Sequence, residues 1–184
     1  MTKSRKTLLL LIAVGVFPLV AAYALYWGWR PTARMNHGEL LETRPADLQK
    51  LHTTDGRNLA EVVTKKWVLL TVQAAACDAR CQNKLYLMRQ IRTAQNENML
   101  RIERVWAVTG PGQPDPALLA VHPGLRLAHA REDELKPLPL GGDAGAYIFL
   151  IDPLGNLVLR YDESTNPKGM LADLRRLLRY SGLG

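Results

Sequence analysis

The stretch Lys65-Lys66-Trp67-Val68-Leu69-Leu70-Thr71-Val72, followed by Ala74-Ala75-Ala76-Cys77-Asp78-Ala79-Arg80-Cys81, decides how this chain is read. Its first half is a short apolar, β-rich run bounded by charge, which predicts a buried strand. Its second half predicts a helix beginning near Asp78 and running to about Gln95. There Cys81, Leu85, Met88 and Ile91 recur at spacings of four and three and make one apolar face. Cys77 and Cys81 therefore fall at a strand-to-helix junction. They are the chain's two cysteines, too few for a disulfide-dense scaffold or a four-cysteine metal site.

Outward from that junction the pattern continues as strand, helix, strand, helix, hairpin, helix. Residues 101–108 read as the next strand, and 109–116 as a Pro- and Gly-containing loop. Residues 116–121 read as a short helix, while in 122–142 Leu125 and Leu127 alternate and a charged stretch follows at Arg131 to Lys136, without assigning an element. Residues 147–151 and 157–161 are strands around the turn Asp152-Pro153-Leu154-Gly155-Asn156. Asn166-Pro167 starts a last helix, with an Asn cap and Pro at the first position. Leu171, Leu174, Leu177 and Leu178 form that helix's inner face. Toward the N-terminus, Thr53-Thr54-Asp55-Gly56-Arg57 is a turn between short extended segments. The order predicts an α/β domain with a parallel pair joined by a crossover and a hairpin added.

Residues 7–29 contain no charge. As a helix they span about 35 Å, enough for a hydrocarbon core of about 30 Å. Pro18 interrupts the run, and Tyr23, Tyr26, Trp27 and Trp29 cluster at its far end like an interfacial aromatic belt. Lys3, Arg5 and Lys6 precede it, which puts residues 1–6 in the cytoplasm by the positive-inside tendency. The run reads as an uncleaved single-pass anchor of a bacterial inner membrane. The alternative is a signal peptide cleaved after Ala24, at the Ala22-Tyr23-Ala24 pattern. Residues 30–46 read as a polar tether, and 47–184 as the exported, periplasmic domain.

The chain's 184 residues and net charge of +7 mix these unlike parts. Beyond residue 29 there remain 21 basic and 17 acidic side chains, an excess of only +4. That modest balance argues against a nucleic-acid partner. Export argues against cytosolic nucleotide cofactors and places the cysteines where a pair can oxidise.

Three chemistries suit the cysteine pair. Within a helix, Cα atoms four residues apart lie roughly 6 Å apart, inside the disulfide range. Cys77 at the helix N-terminus meets free N–H groups that favour a thiolate, with Arg80 assisting and Asp78 opposing. Cys81, on the apolar face, is the more buried partner. An attacking and a resolving thiol so arranged suit disulfide exchange. A purely structural disulfide is the second reading, but closing so short a ring contributes only about 2 kcal/mol. The third is Cu(I) held by both thiolates, a site that usually needs a third ligand.

The chain resembles the thioredoxin superfamily and, within it, the Sco/SenC family of cytochrome c oxidase assembly proteins. The resemblance covers most of residues 53–180. It rests on Thr54-Asp55-Gly56, Lys66-Trp67-Val68-Leu69-Leu70, the C-x-x-x-C of Cys77 to Cys81, and Phe149-Leu150-Ile151-Asp152-Pro153-Leu154-Gly155-Asn156. It implies a thioredoxin-like fold, with a central mixed sheet flanked by helices, following one transmembrane helix. It also implies a role in supplying copper to, or reducing the cysteines of, an oxidase copper site. In that family the two cysteines bind copper with a His just before the strand that ends in the Asp-Pro turn. Here the position falls on Ala144, after Asp143, and no His follows His129. The family's Pro between the cysteines is absent, and the cis-Pro position of thioredoxins holds Ala146.

The expectation is therefore a membrane-anchored thiol–disulfide oxidoreductase. Cys77 and Cys81 are its catalytic residues, and its client is a cysteine-containing protein such as an oxidase subunit. A Cu(I) chaperone using Cys77, Cys81 and a ligand borrowed from His122, His129 or the partner is the alternative. A non-catalytic assembly factor is the third reading. His37 and His52 lie near the tether, Met88 reads as core, and Asp143 is a candidate proton acceptor by position.

Overall fold

A computed structural model describes residues 3–28 and 36–182. They form two units, divided between residues 35 and 36. The first holds α1 (Lys3–Gly28), a continuous helix with Pro18 inside it. Its segment Ser4–Gly28 has a mean hydropathy of 2.6 and is long and apolar enough to cross a membrane. Trp29 and residues 30–35 of the expected tether lie outside the described residues.

The second unit is an α/β domain. Its elements are β1 (Glu39–Pro45), β2 (His52–Thr53), α2 (Leu59–Val62), β3 (Trp67–Ala74), α3 (Ala79–Thr93), β4 (Ile102–Thr109), α4 (Pro116–Ala120), β5 (Leu125–His129), β6 (Ile148–Ile151), β7 (Asn156–Tyr161) and α5 (Pro167–Tyr180). Short 3-10 turns occupy Leu48–Lys50, Asn96–Arg101 and Ala144–Ala146. The seven strands form one sheet in the order β1-β7-β6-β3-β4-β5-β2. Strands β3, β4 and β5 run parallel, and β6 pairs antiparallel with β3. The hairpin partner β7 pairs antiparallel with β6.

Central β3 is buried on both sides, which explains its unbroken apolar run. Val68, Leu70 and Val72 face one core layer with Val105, Ala107, Phe149 and Ile151. Trp67 and Leu69 face the other, against Met88 and Ile91 of α3 and Met170, Leu174 and Leu178 of α5. Side chains alternate across a strand, so a single apolar run serves both layers. Cys81, Leu85, Trp106 and Val108 make a third apolar cluster at the N-terminal end of α3.

The expectation of a tether reaching residue 46 is corrected by β1. Glu39–Pro45 pairs antiparallel with β7, from Glu39 opposite Arg160 to Pro45 opposite Asn156. The strand is mostly exposed and its side chains are mixed. It forms through backbone pairing, aided by the Glu39–Arg160 ion pair at 2.8 Å, rather than through an apolar face of its own. Just before it, the buried Asp173 carboxylate of α5 accepts the backbone N–H groups of His37 and Gly38 at 2.8 and 2.9 Å. The unassigned stretch 122–142 contains β5, over the alternating Leu125 and Leu127, which completes the parallel set and is followed by turns.

Candidate functional site

Strand β3 ends at Ala74, and three residues later Cys77 opens the approach to α3. Asp78 is the N-cap: its backbone is extended, and its carboxylate accepts the Cys81 N–H at 2.8 Å. Anions suit this end of a helix, and an Asp cap satisfies one of its unpaired N–H groups. Asp78 therefore serves the helix even though its charge opposes a nearby thiolate.

Cys77 and Cys81 form a disulfide with Cα atoms 5.2 Å apart. Cys77 is half-buried, whereas Cys81 is 1% exposed among Ala75, Leu85, Trp106 and Val108. Gln82 donates a hydrogen bond from its amide to the Cys77 carbonyl at 3.2 Å. In front of Cys77 lies a cleft of about 540 Å³, walled by Asp78, Gln82, Pro111, Gly112 and Gln113 among others. Cys77 thus borders a cleft, and its partner is buried in the core.

Arg80 is turned to other work than the thiol. Its Nε donates to Glu163 Oε1 at 2.7 Å, and its Nη2 lies 3.7 Å from Asp143. The same Glu163 oxygen accepts from Lys84 Nζ at 3.1 Å. Lys84 is buried, and its ammonium also donates to the Gly145 carbonyl at 2.5 Å. Gln73 donates to that carbonyl from the other side at 2.9 Å. Asp143 caps the turn by accepting the Gly145 N–H at 2.9 Å. The turn at Ala144–Ala146 is thereby fastened to α3, one turn beyond the disulfide. Hydrogen bonds from Arg80, then Lys84, hold the Glu163 carboxyl below the ordinary carboxylate range, and Glu163 in turn raises Arg80.

Sequence reading missed Lys84 and Glu163. Lys84 carried a signal: it lies three residues after Cys81, on the same helical face. Glu163, in the loop between β7 and α5, carried none.

Among the described residues, none of the four histidines joins the two cysteines in a metal-binding group. His37 packs on Gly169 of α5. His122 is buried beyond α4, and burial, then Arg89 and Arg104, hold its imidazole below the ordinary histidine range. Arg89 donates to the neighbouring Val121 carbonyl, two helical turns along α3 from Cys81. His52 and His129 pair across β2 and β5 at the far edge of the sheet. Met88 is fully buried core. Among the described residues no group of three or more His, Cys, Asp or Glu is placed to hold a metal ion.

Residues 67–181 match the family described as transmembrane-like, thioredoxin-like, C-terminal domain. No curated protein matches the sequence. Among solved structures, apo Sco1 from Thermus thermophilus superposes with a TM-score of 0.61 at 19% identity, covering 80% of this chain and 99% of that one. Yeast Sco1 with copper bound gives 0.58 at 14%, covering 80% and 95%. A putative thiol:disulfide interchange protein DsbE from Chlorobium tepidum gives 0.50 at 19%, covering 76% and 94%. The fold is that of the thioredoxin-like Sco proteins, as the four quoted segments led us to expect. The chain belongs to the transmembrane-like, thioredoxin-like C-terminal domain family.

Proposed function

We propose that this protein is a membrane-anchored thiol–disulfide oxidoreductase acting through Cys77 and Cys81. One observation carries the reading: the paired cysteines sit at a helix N-terminus, one half-exposed to a cleft and the other sealed in the core. In the reduced protein the Cys77 thiolate attacks a client disulfide, forming a mixed disulfide and releasing one client thiolate. The Cys81 thiolate then attacks Cys77 Sγ. This re-forms the Cys77–Cys81 disulfide and releases the second client thiolate. Two electrons pass to the client, and an upstream dithiol of the envelope restores the reduced pair. The client is a cysteine pair in an oxidase subunit or another copper protein, a reading supported by the fold shared with Sco1. Helix α1 holds the domain at a bacterial inner membrane, on the periplasmic side.

The test is trapping. A Cys81→Ser variant should accumulate a mixed disulfide with a model disulfide peptide, and Cys77→Ser should form none. Equal turnover by wild type and Cys77→Ser would refute the proposal. A second reading is favoured by the fold shared with copper-bound yeast Sco1. In it Cu(I) is a cargo held by the reduced thiolates, its third ligand supplied by the partner. Tight one-to-one Cu(I) binding by the reduced chain, lost in a Cys77→Ser/Cys81→Ser variant, would favour it.

A further inference from the structure

At the last strand pair of the sheet, two histidines occupy directly opposed positions. His52 of β2 is directly opposite His129 of β5 in an antiparallel register, and Thr53 is opposite Ala128. Thr53 and Ala128 are buried, whereas His52 and His129 are exposed. Alternation therefore puts both imidazoles on one face, with Cβ atoms about 5 Å apart. Both line one cavity of about 940 Å³, whose wall includes Pro111, Arg131, Glu132 and Glu134.

The backbone beneath the pair is held on both sides. Val108 of β4 pairs with His129. On the other side of β2, the Thr53 N–H donates to Arg57 at 2.9 Å and the Leu59 N–H donates to Leu51 at 2.9 Å. Arg131, the one cation on the wall among the described residues, is neutralised: it lies 2.8 Å from Glu134 and 3.4 Å from Asp133. With Glu132 added, the charge around the two imidazoles favours a cation.

We propose that His52 and His129 form a cross-strand two-imidazole site for a divalent late first-row metal, Cu(II) above all. Neutral imidazole suits these ions, and Cu(II) binds nitrogen donors most tightly among them. Metal–nitrogen bonds are about 2 Å long, so rings on Cβ atoms this close can converge on one ion. Two protein ligands leave the remaining coordination positions open to water or to a donor from a partner. The site is independent of the thiol chemistry and is present with the disulfide closed.

The test is a Cu(II) titration of the full chain in detergent micelles, disulfide intact, followed by electron paramagnetic resonance. One equivalent should bind with a signal showing two equivalent nitrogen donors. Removing one arm of a chelate forfeits its effective concentration, so His52→Ala and His129→Ala should each weaken binding about 100-fold. His37→Ala and Cys77→Ser/Cys81→Ser should leave it unchanged. Both site residues are exposed, so melting curves should be unaltered. Loss in neither variant, or in only one, would overturn the proposal. So would loss in His37→Ala.

Discussion

At the scale of single residues, the disulfide is set in a charge arrangement that cancels. Arg80 and Lys84 share Glu163, and Asp143 approaches Arg80. The cationic help that Arg80 offers a Cys77 thiolate is therefore largely spent on those carboxylates. Replacing Glu163 by Gln removes one negative charge and leaves both cations in place. In the reduced protein, Glu163→Gln should make the Cys77 thiol more acidic and its alkylation at neutral pH a few-fold faster. Rates followed as a function of pH check this, and an unchanged profile would refute it. Lys84→Met should act oppositely on the thiol. It should also loosen the turn at Ala144–Ala146, because the Gly145 carbonyl loses a donor.

At the scale of elements, α3 depends on its cap. Asp78→Ala leaves the Cys81 N–H without its acceptor and should cost about 1 kcal/mol. In a domain of this size that lowers the melting temperature by roughly 2–4 °C. The same change removes a negative charge beside Cys77, so stability should fall while thiol acidity rises. Asp78→Asn separates the two effects: it keeps an acceptor, so stability should recover while the acidity stays high. Thermal melts and alkylation profiles of the two variants, taken together, read both effects.

At the scale of the whole domain, β1 is held at its entrance by α5. Asp173→Ala leaves the N–H groups of His37 and Gly38 without their buried acceptor, at a cost of about 2–3 kcal/mol. Hydrogen exchange along β1 should rise in this variant, with α3 and the disulfide largely protected. Gly38→Ala tests the same junction sterically, since a Cβ there meets the Tyr161 ring. Tyr161 also gives the domain a pH dependence. Burial, then the charge of the Asp173 carboxylate, hold its phenol well above the ordinary tyrosine range. The unfolded chain therefore releases this proton first. The contribution is fully present below about pH 10, the ordinary phenol pKa, and is lost as pH rises beyond it. Alkaline unfolding curves should show that slope in wild type and a shallower one in Tyr161→Phe.

The elements that carry their own pattern were legible in the sequence. The β3 run, the apolar face of α3, the β6–β7 turn and the Asn166-Pro167 start of α5 each encode their structure in local spacing and capping. The Cys77–Cys81 pair announced itself by falling where two such patterns meet. What lay beyond reading was made by partners distant in sequence. Glu39–Pro45 becomes strand because β7 offers an open edge, and β5 because β4 does. Glu163 meets Arg80 and Lys84 only once α3 packs beside the loop after β7. His52 meets His129 only when the sheet closes its far edge. The sequence by itself determined which segments bury apolar surface and where the thiols stand, because periodicity and capping are local. Tertiary structure alone decided which charges and carbonyls come within bonding distance and which histidines stand opposite one another, because that depends on how elements distant in sequence pack and on the register of strands joined across the sheet.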